Sequence, residues 1–108
     1  MDEFERRVAV EFGRRVKRRR NFLDISQETL AYRAGIHRTV ISRYEHGEQM
    51  PLVSTLIKLA GALEASTDQL LAGTRWEPPG SRSGARRGGE WIVGDPDIGP
   101  PPDETGDA

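Results

Sequence analysis

The part of this chain that most limits its fold is residues 26–47, SQETLAYRAGIHRTVISRYEHG. Ser26 offers a hydroxyl that can accept from one of the open amide N–H groups in the first turn of a helix. Gln27, Glu28 and Thr29 follow as that turn, and Leu30, Ala31 and Ala34 then recur at helical spacing. Gly35 falls where this helix must stop, and glycine takes positive φ at little cost. Ile36 is a lone apolar plug, and a second helix starts at His37 or Arg38. Val40, Ile41 and Tyr44 give the second helix an apolar side. Arg38, Thr39, Ser42 and Arg43 lie largely on the other side, and all four can donate hydrogen bonds. The expectation is two short helices joined by a tight turn.

A short helix with donors on one face suits the major groove of DNA, which admits a helix and where arginine can bridge guanine O6 and N7. Arg43 lies about one turn beyond Arg38 and Thr39, so the three can face one way. On composition alone the plainer account is an ordinary solvated face of a helical bundle. The detailed pattern shifts that balance. Ser26-Gln27-x-x-Leu30-Ala31-x-x-Ala34-Gly35-Ile36-x-x-x-x-Ile41-Ser42-x-x-Glu45-x-Gly47 closely resembles the lambda-repressor/Cro-like (XRE-type) helix-turn-helix family. The likeness continues through Pro51, Thr55-Leu56, Lys58-Leu59-Ala60, Leu63 and Ser66-x-Asp68-x-Leu70-Leu71. It spans residues 12–71 and leaves out the C-terminal third.

The resemblance implies an all-α, compact five-helix DNA-binding domain that reads the major groove with helix 38–46. It implies that Gln27, with the amides of its helix, anchors a phosphate, and that Arg38, Thr39, Ser42 and Arg43 meet base edges or adjacent phosphates. His37, at the start of the recognition helix, can contact phosphate or cap the helix. Arg20 falls where the family often carries an arginine that pairs with the glutamate here at Glu45. A partly buried Arg20–Glu45 ion pair is therefore expected, tying the first helix to the third. A homodimer would set two recognition helices ~34 Å apart on an inverted repeat.

The 108 residues have room for one small domain. Charge is unevenly divided. Residues 1–75 carry 13 Lys/Arg and 10 Asp/Glu; residues 76–108 carry 3 and 7. A net charge of −1 therefore does not argue against a nucleic-acid partner, because what matters is where the positive charge sits. The chain has no cysteine, which excludes disulfides, thiolate nucleophiles and cysteine-based zinc sites. MDEFERRV has no apolar run and does not read as a secretory signal. No stretch approaches the ~20 apolar residues that span a bilayer. The expected place is the cytoplasm, with no membrane association.

Around the central segment, residues 2–20 read as a first helix with Asp2 as N-cap and Phe4, Val8, Phe12 and Val16 in one stripe. Residues 14–20, RRVKRRR, place six basic side chains in seven positions, either as a solvated face or against phosphate. Leu23 and Ile25 close the core, and Asp24 stands where many relatives have glycine. Glu48, Gln49 and Leu52 replace the basic and capping residues that the family often places there, which predicts weaker backbone contact from this loop. Residues 53–64 read as a fourth helix with Leu56, Ile57, Leu59, Ala60 and Leu63 buried. Ser66 and Gln69 have the form of a capping box opening a short fifth helix at 67–72, which contributes Leu70 and Leu71 and ends at Gly73.

Residues 76–108 are rich in Gly, Pro, Ser and Asp, and read as a mostly disordered acidic tail after a domain at 1–75. Trp91-Ile92-Val93 is the exception, a short apolar segment suited to docking on its own domain, a second subunit or a protein partner. The two histidines have no metal-ligand spacing, and no Walker-type loop or GxSxG elbow is present. The expectation is a transcriptional regulator, a repressor, that is not an enzyme and needs no cofactor or metal. The alternatives are an antitoxin or restriction–modification controller, or a helix-turn-helix interaction module without DNA binding.

Overall fold

The computed structural model describes residues 1–80 and the backbone of Trp91 and Ile92. Five helices follow in order: α1 Glu3–Phe22, α2 Gln27–Ala34, α3 Arg38–Glu45, α4 Val53–Ala62 and α5 Thr67–Leu71. A two-stranded antiparallel ribbon, β1 Arg75–Trp76 and β2 Trp91–Ile92, pairs Arg75 with Ile92 and Trp76 with Trp91.

Local chemistry sets the helix starts. Asp2 caps α1, accepting from the Glu5 amide at 2.8 Å while the Glu5 carboxylate takes the Asp2 amide at 2.9 Å. Ser26 caps α2 through the Thr29 amide at 3.0 Å. Ser66 and Gln69 form the reciprocal capping box of α5. Gly35 ends α2 in the left-handed region, with φ of 70°. Asp24 also takes positive φ, 58°, in the link between α1 and α2.

The core gathers Phe12 and Val16 of α1, Leu30, Ala31 and Ala34 of α2, Ile41 and Tyr44 of α3, Leu59, Ala60 and Leu63 in or beside α4, and Leu70 of α5. Ile25, Ile36, Val40, Leu56 and Leu71 pack around it, partly buried. Phe12 meets Tyr44 edge-on, with ring centroids 6.3 Å apart.

Two sequence expectations need correction. Ile57 is 58% exposed rather than buried, so the inward face of α4 is narrower than its composition suggests. Helix α4 ends at Ala62 instead of residue 64, because Glu64 turns into the left-handed region with φ of 54°. Strand β1 straddles the expected boundary at 75/76. Trp76 packs edge-on against Phe4 with centroids 5.1 Å apart, so the chain stays attached to α1 past the last helix. The rest of the expected tail, residues 81–90 and 93–108, lies outside the described residues.

The basic run 14–20 is neither a solvated face nor free for phosphate as a whole. Arg15 is buried; its Nε donates to Glu11 at 2.8 Å and its NH1 to the Leu70 carbonyl at 3.4 Å. Arg19 donates to the Leu63 and Glu64 carbonyls at 2.9 and 2.8 Å and lies over the Phe22 ring. Arg33 of α2 adds a bond to the Ala62 carbonyl at 3.3 Å. Helix α4 has no basic residue in its own last turn. Arginines from α1 and α2 supply the donors and the positive charge that its carbonyl end requires.

Glu11 joins this scaffold. Burial pushes its carboxyl up, but hydrogen bonds and charge from Arg14 and Arg15 outweigh it, and the net pKa is lowered. The stability that Glu11 contributes is therefore complete above its unfolded-state pKa and is lost as pH falls through its depressed native value. Urea melts from pH 7 to pH 2 should show a decline in the acid limb that Glu11→Gln flattens. An unchanged acid limb in the variant would rule out this contribution.

Candidate nucleic-acid interface

Helix α3 lies across the middle of α1 and against α2, with Ile41 and Tyr44 directed into the core. Burial raises the Tyr44 phenol pKa above its ordinary value, consistent with a ring held among apolar groups. With that side fixed inward, Arg38, Thr39 and Arg43 are exposed on the outer side and Ser42 is half-buried. The only carboxylate on α3 is Glu45, and it points inward, with 3% side-chain exposure. The outward side of the helix is thus a set of donors with no exposed acid among them.

His37 is the N-cap of α3. Its Nδ1 accepts from the Thr39 amide at 3.1 Å, so that nitrogen is used within the helix. His46, the C-cap, places Nδ1 2.7 Å from the Ser42 carbonyl oxygen and 3.4 Å from the Ser42 hydroxyl. The Ser42 side chain accordingly has a local partner as well as an outward position.

Arg20 and Glu45 are brought together as a fork. Arg20 Nε donates to Glu45 Oε2 at 2.6 Å and NH2 donates to Oε1 at 3.0 Å. Arg20 NH1 also donates to the Ile25 carbonyl at 2.9 Å. The Glu45 hydrogen bonds raise the Arg20 pKa further above its ordinary value, against the opposing effect of burial. One residue thereby ties α1, the α1–α2 link and α3.

Gln27 has two partners within the protein. Its Nε2 donates to Glu45 Oε1 at 3.0 Å, and its Oε1 accepts from Arg38 NH1 at 3.5 Å. Both ends of the amide are engaged within the protein. Residue spacing alone gave no sign of this, and reading residues 14–20 as one basic run also missed the inward roles of Arg15 and Arg19. For the two arginines a signal was available: they fall three and seven residues after Phe12, on the helix face that carries Val16.

In the loop between α3 and α4, Glu48 and Leu52 are exposed and Gln49 is half-buried. Among the described residues no group of His, Cys, Asp or Glu could hold a metal ion. No helix among them is long and apolar enough to cross a membrane.

Two short helices at a glycine turn, the second bearing exposed donors, define a helix-turn-helix unit. Residues 16–70 match the helix-turn-helix family, and the chain belongs to it. Among individual relatives, it is 43% identical over 63 residues to YonR, an uncharacterized HTH-type transcriptional regulator derived from the SPbeta prophage of Bacillus subtilis; the match covers 58% of each chain. It is 46% identical over 56 residues to the control protein C.SmaI of Serratia marcescens, covering 52% of this chain and 67% of that one. Among solved structures, the P22 c2 repressor in complex with a synthetic operator superposes with a TM-score of 0.54 at 36% identity, covering 56% of this chain and 92% of that chain. The chain spans less than two thirds of the length of YonR.

Proposed function

We propose that this protein is a sequence-specific regulator of transcription that binds double-stranded DNA as a homodimer, with α3 in the major groove. The single observation that carries the reading is the outward set of Arg38, Thr39 and Arg43 on a helix whose opposite side is locked into the core. The P22 c2 repressor, solved with an operator, is a relative of the same fold. Arg38 and Arg43 are the guanine readers, and Thr39 and Ser42 meet neighbouring base edges or phosphates. The action is repression in the cytoplasm, without catalysis.

The test is in-vitro selection from random duplex DNA at two salt concentrations. The expected product is an inverted repeat with half-sites about one helical turn apart. Affinity should fall steeply as salt rises, since phosphate neutralisation releases counterions. Salt-sensitive binding with no enriched sequence would reduce the reading to non-specific binding. No binding at either salt would favour an interaction module, the reading to which the acidic Glu48 in the loop after α3 lends weight.

In the selected site, Arg43→Ala should relax preference at one base pair, by ~1–3 kcal/mol of discrimination. Uniform weakening on all sequences would show instead that Arg43 meets phosphate.

A second reading, control of a restriction–modification system, draws on the likeness to C.SmaI. It is tested by locating the selected sequence in the source genome. A site upstream of paired endonuclease and methyltransferase genes would support it.

A further inference from the structure

Several arginines of this fold sit on a carboxylate of their own domain: Arg14 and Arg15 on Glu11, Arg20 on Glu45, Arg33 on Glu64. Arg38 and Arg43 do not. Both are exposed, and among the described residues neither has a carboxylate partner. Acid that could balance them stands further along the chain. Residues 93–108 carry Asp95, Asp97, Asp103, Glu104 and Asp107, and no Lys or Arg. The ribbon fixes where that segment starts. Ile92 pairs with Arg75, and the adjacent Trp76 packs on Phe4 in the first turn of α1. The C-terminal end of α3 lies against the same half of α1, with Gly47 beside Val10 and the Tyr44 carbonyl beside Gly13.

We propose that Asp103 and Glu104 dock on the outward side of α3, against Arg38 and Arg43, and compete there with DNA phosphates. Reach selects these two acids. Val10 and Gly13 lie ~9–14 Å along α1 from Phe4, at 1.5 Å per residue. Gly13 faces nearly the opposite way from Phe4, so the path must also pass the ~10–12 Å width of the helix, for a total of ~25 Å. An extended chain covers ~3.3–3.6 Å per residue, so Asp103 can stand ~36–40 Å beyond Ile92, whereas Asp95 reaches only ~10 Å and Asp97 ~17 Å. A carboxylate offers a guanidinium the same kind of charged, paired oxygens as a phosphate, so one face suits both partners. A duplex supplies many more such oxygens and displaces the segment, while weak phosphate contacts do not. The inference rests on the proposed use of α3 as the DNA-binding side.

The chain has no cysteine, so Thr105→Cys in the full chain places a single nitroxide label beside the two acids. Paramagnetic broadening in NMR spectra should concentrate at the amides of residues 38–43 and disappear when Asp103→Asn and Glu104→Gln are added. Broadening centred elsewhere, for instance around the exposed Lys58, would overturn the proposal, as would none. The second measurement compares duplex affinity of two full-length variants that each remove two charges, Asp103→Asn/Glu104→Gln and Asp95→Asn/Asp97→Asn. It is made at about 0.1 M salt, where exposed charges more than ~10 Å apart are largely screened. The first variant should bind ~2- to 10-fold more tightly than wild type, the worth of two exposed ion pairs, and the second should be unchanged. Equal gains would overturn the proposal in favour of general repulsion between the acidic segment and DNA. No gain in either would overturn the competition. A wild-type protein that binds no duplex would instead defeat the functional reading, and the label would still decide whether the segment docks on α3.

Discussion

Gly13→Ala should destabilise the fold by ~3 kcal/mol, at the upper end of the range for forcing an extra methyl into a close-packed contact. The same substitution at Gly61 should stabilise it by ~0.5–1 kcal/mol. Both glycines lie inside helices, Gly13 in α1 and Gly61 in α4. In an isolated helix both changes would help, because alanine restricts the unfolded chain and suits the helical backbone. Their surroundings reverse one of them. A Cβ built on Gly13 falls 2.0 Å from the Tyr44 carbonyl oxygen and 3.1 Å from the Glu45 carbonyl atoms. A Cβ on Gly61 meets nothing within 4 Å. The atoms facing Gly13 are backbone, so no side-chain rotation relieves the overlap; α1 and α3 must separate. Separation would also disturb the Phe12–Tyr44 contact and the Arg20–Glu45 fork on the same seam. Denaturant melts of the two single variants decide the matter. A neutral or stabilised Gly13→Ala would mean that α1 and α3 are not held in this close approach.

Glu45→Ala should cost ~3–5 kcal/mol, because it leaves the Arg20 guanidinium nearly buried without its carboxylate. Arg20 and Glu45 side chains are 12% and 3% exposed, so solvent screening offers little relief. Arg20→Ala should cost a similar amount, since it strands Glu45 and also removes the donor to the Ile25 carbonyl. Replacing both with apolar residues of similar volume, Arg20→Met with Glu45→Leu, should cost much less than the two alanine losses together, because neither charge is then left alone. The readout is a double-mutant cycle by urea denaturation, with the coupling measured at low and high salt. Strong coupling that survives added salt is expected of a buried pair; surface pairs are weak and screened. Independent, additive losses would show that the fork does not tie α1 to α3. The Arg20–Glu45 fork also meets Gln27 and, through it, Arg38.

Much of this organisation could be read along the chain. Capping and turn chemistry act over three or four residues, so Asp2, Ser26, Gly35 and Ser66 marked their boundaries directly. Helical spacing assigned Phe12, Val16, Leu30, Ile41, Tyr44, Leu59 and Leu70 to the interior, and each is buried. The outward position of Arg38, Thr39 and Arg43 followed from the same spacing, since a helix with three apolar groups on one side must turn its remaining side out. Ile57 lies on the apolar stripe of α4 yet is exposed. Spacing identifies a stripe, but only neighbouring helices decide how wide a stripe is covered, and α2 and α5 leave Ile57 outside.

Polar side chains were harder to place, because an arginine or a glutamine can reach several partners from one backbone position. Arg15 and Arg19 read as members of a basic run, yet they supply donors to the carbonyl ends of α5 and α4, which are distant in sequence. Gln27 gave no sign along the chain of its internal partners, and its two ends meet Glu45 and Arg38. Gly13 gave no signal at all, since a missing side chain does not announce what approaches it.

The amino-acid sequence by itself determined the five helices, their caps, the glycine turn between α2 and α3 and the donor-bearing side of α3, because these depend on hydrogen bonds and periodicities that close within a few residues. Only the tertiary structure decided the approach of α1 to α3 at Gly13, the use of arginines to complete the ends of other helices, and the chain of bonds from Arg20 to Arg38. Those features depend on which atoms of separate helices come within hydrogen-bonding or van der Waals distance, and that is fixed only when the helices pack.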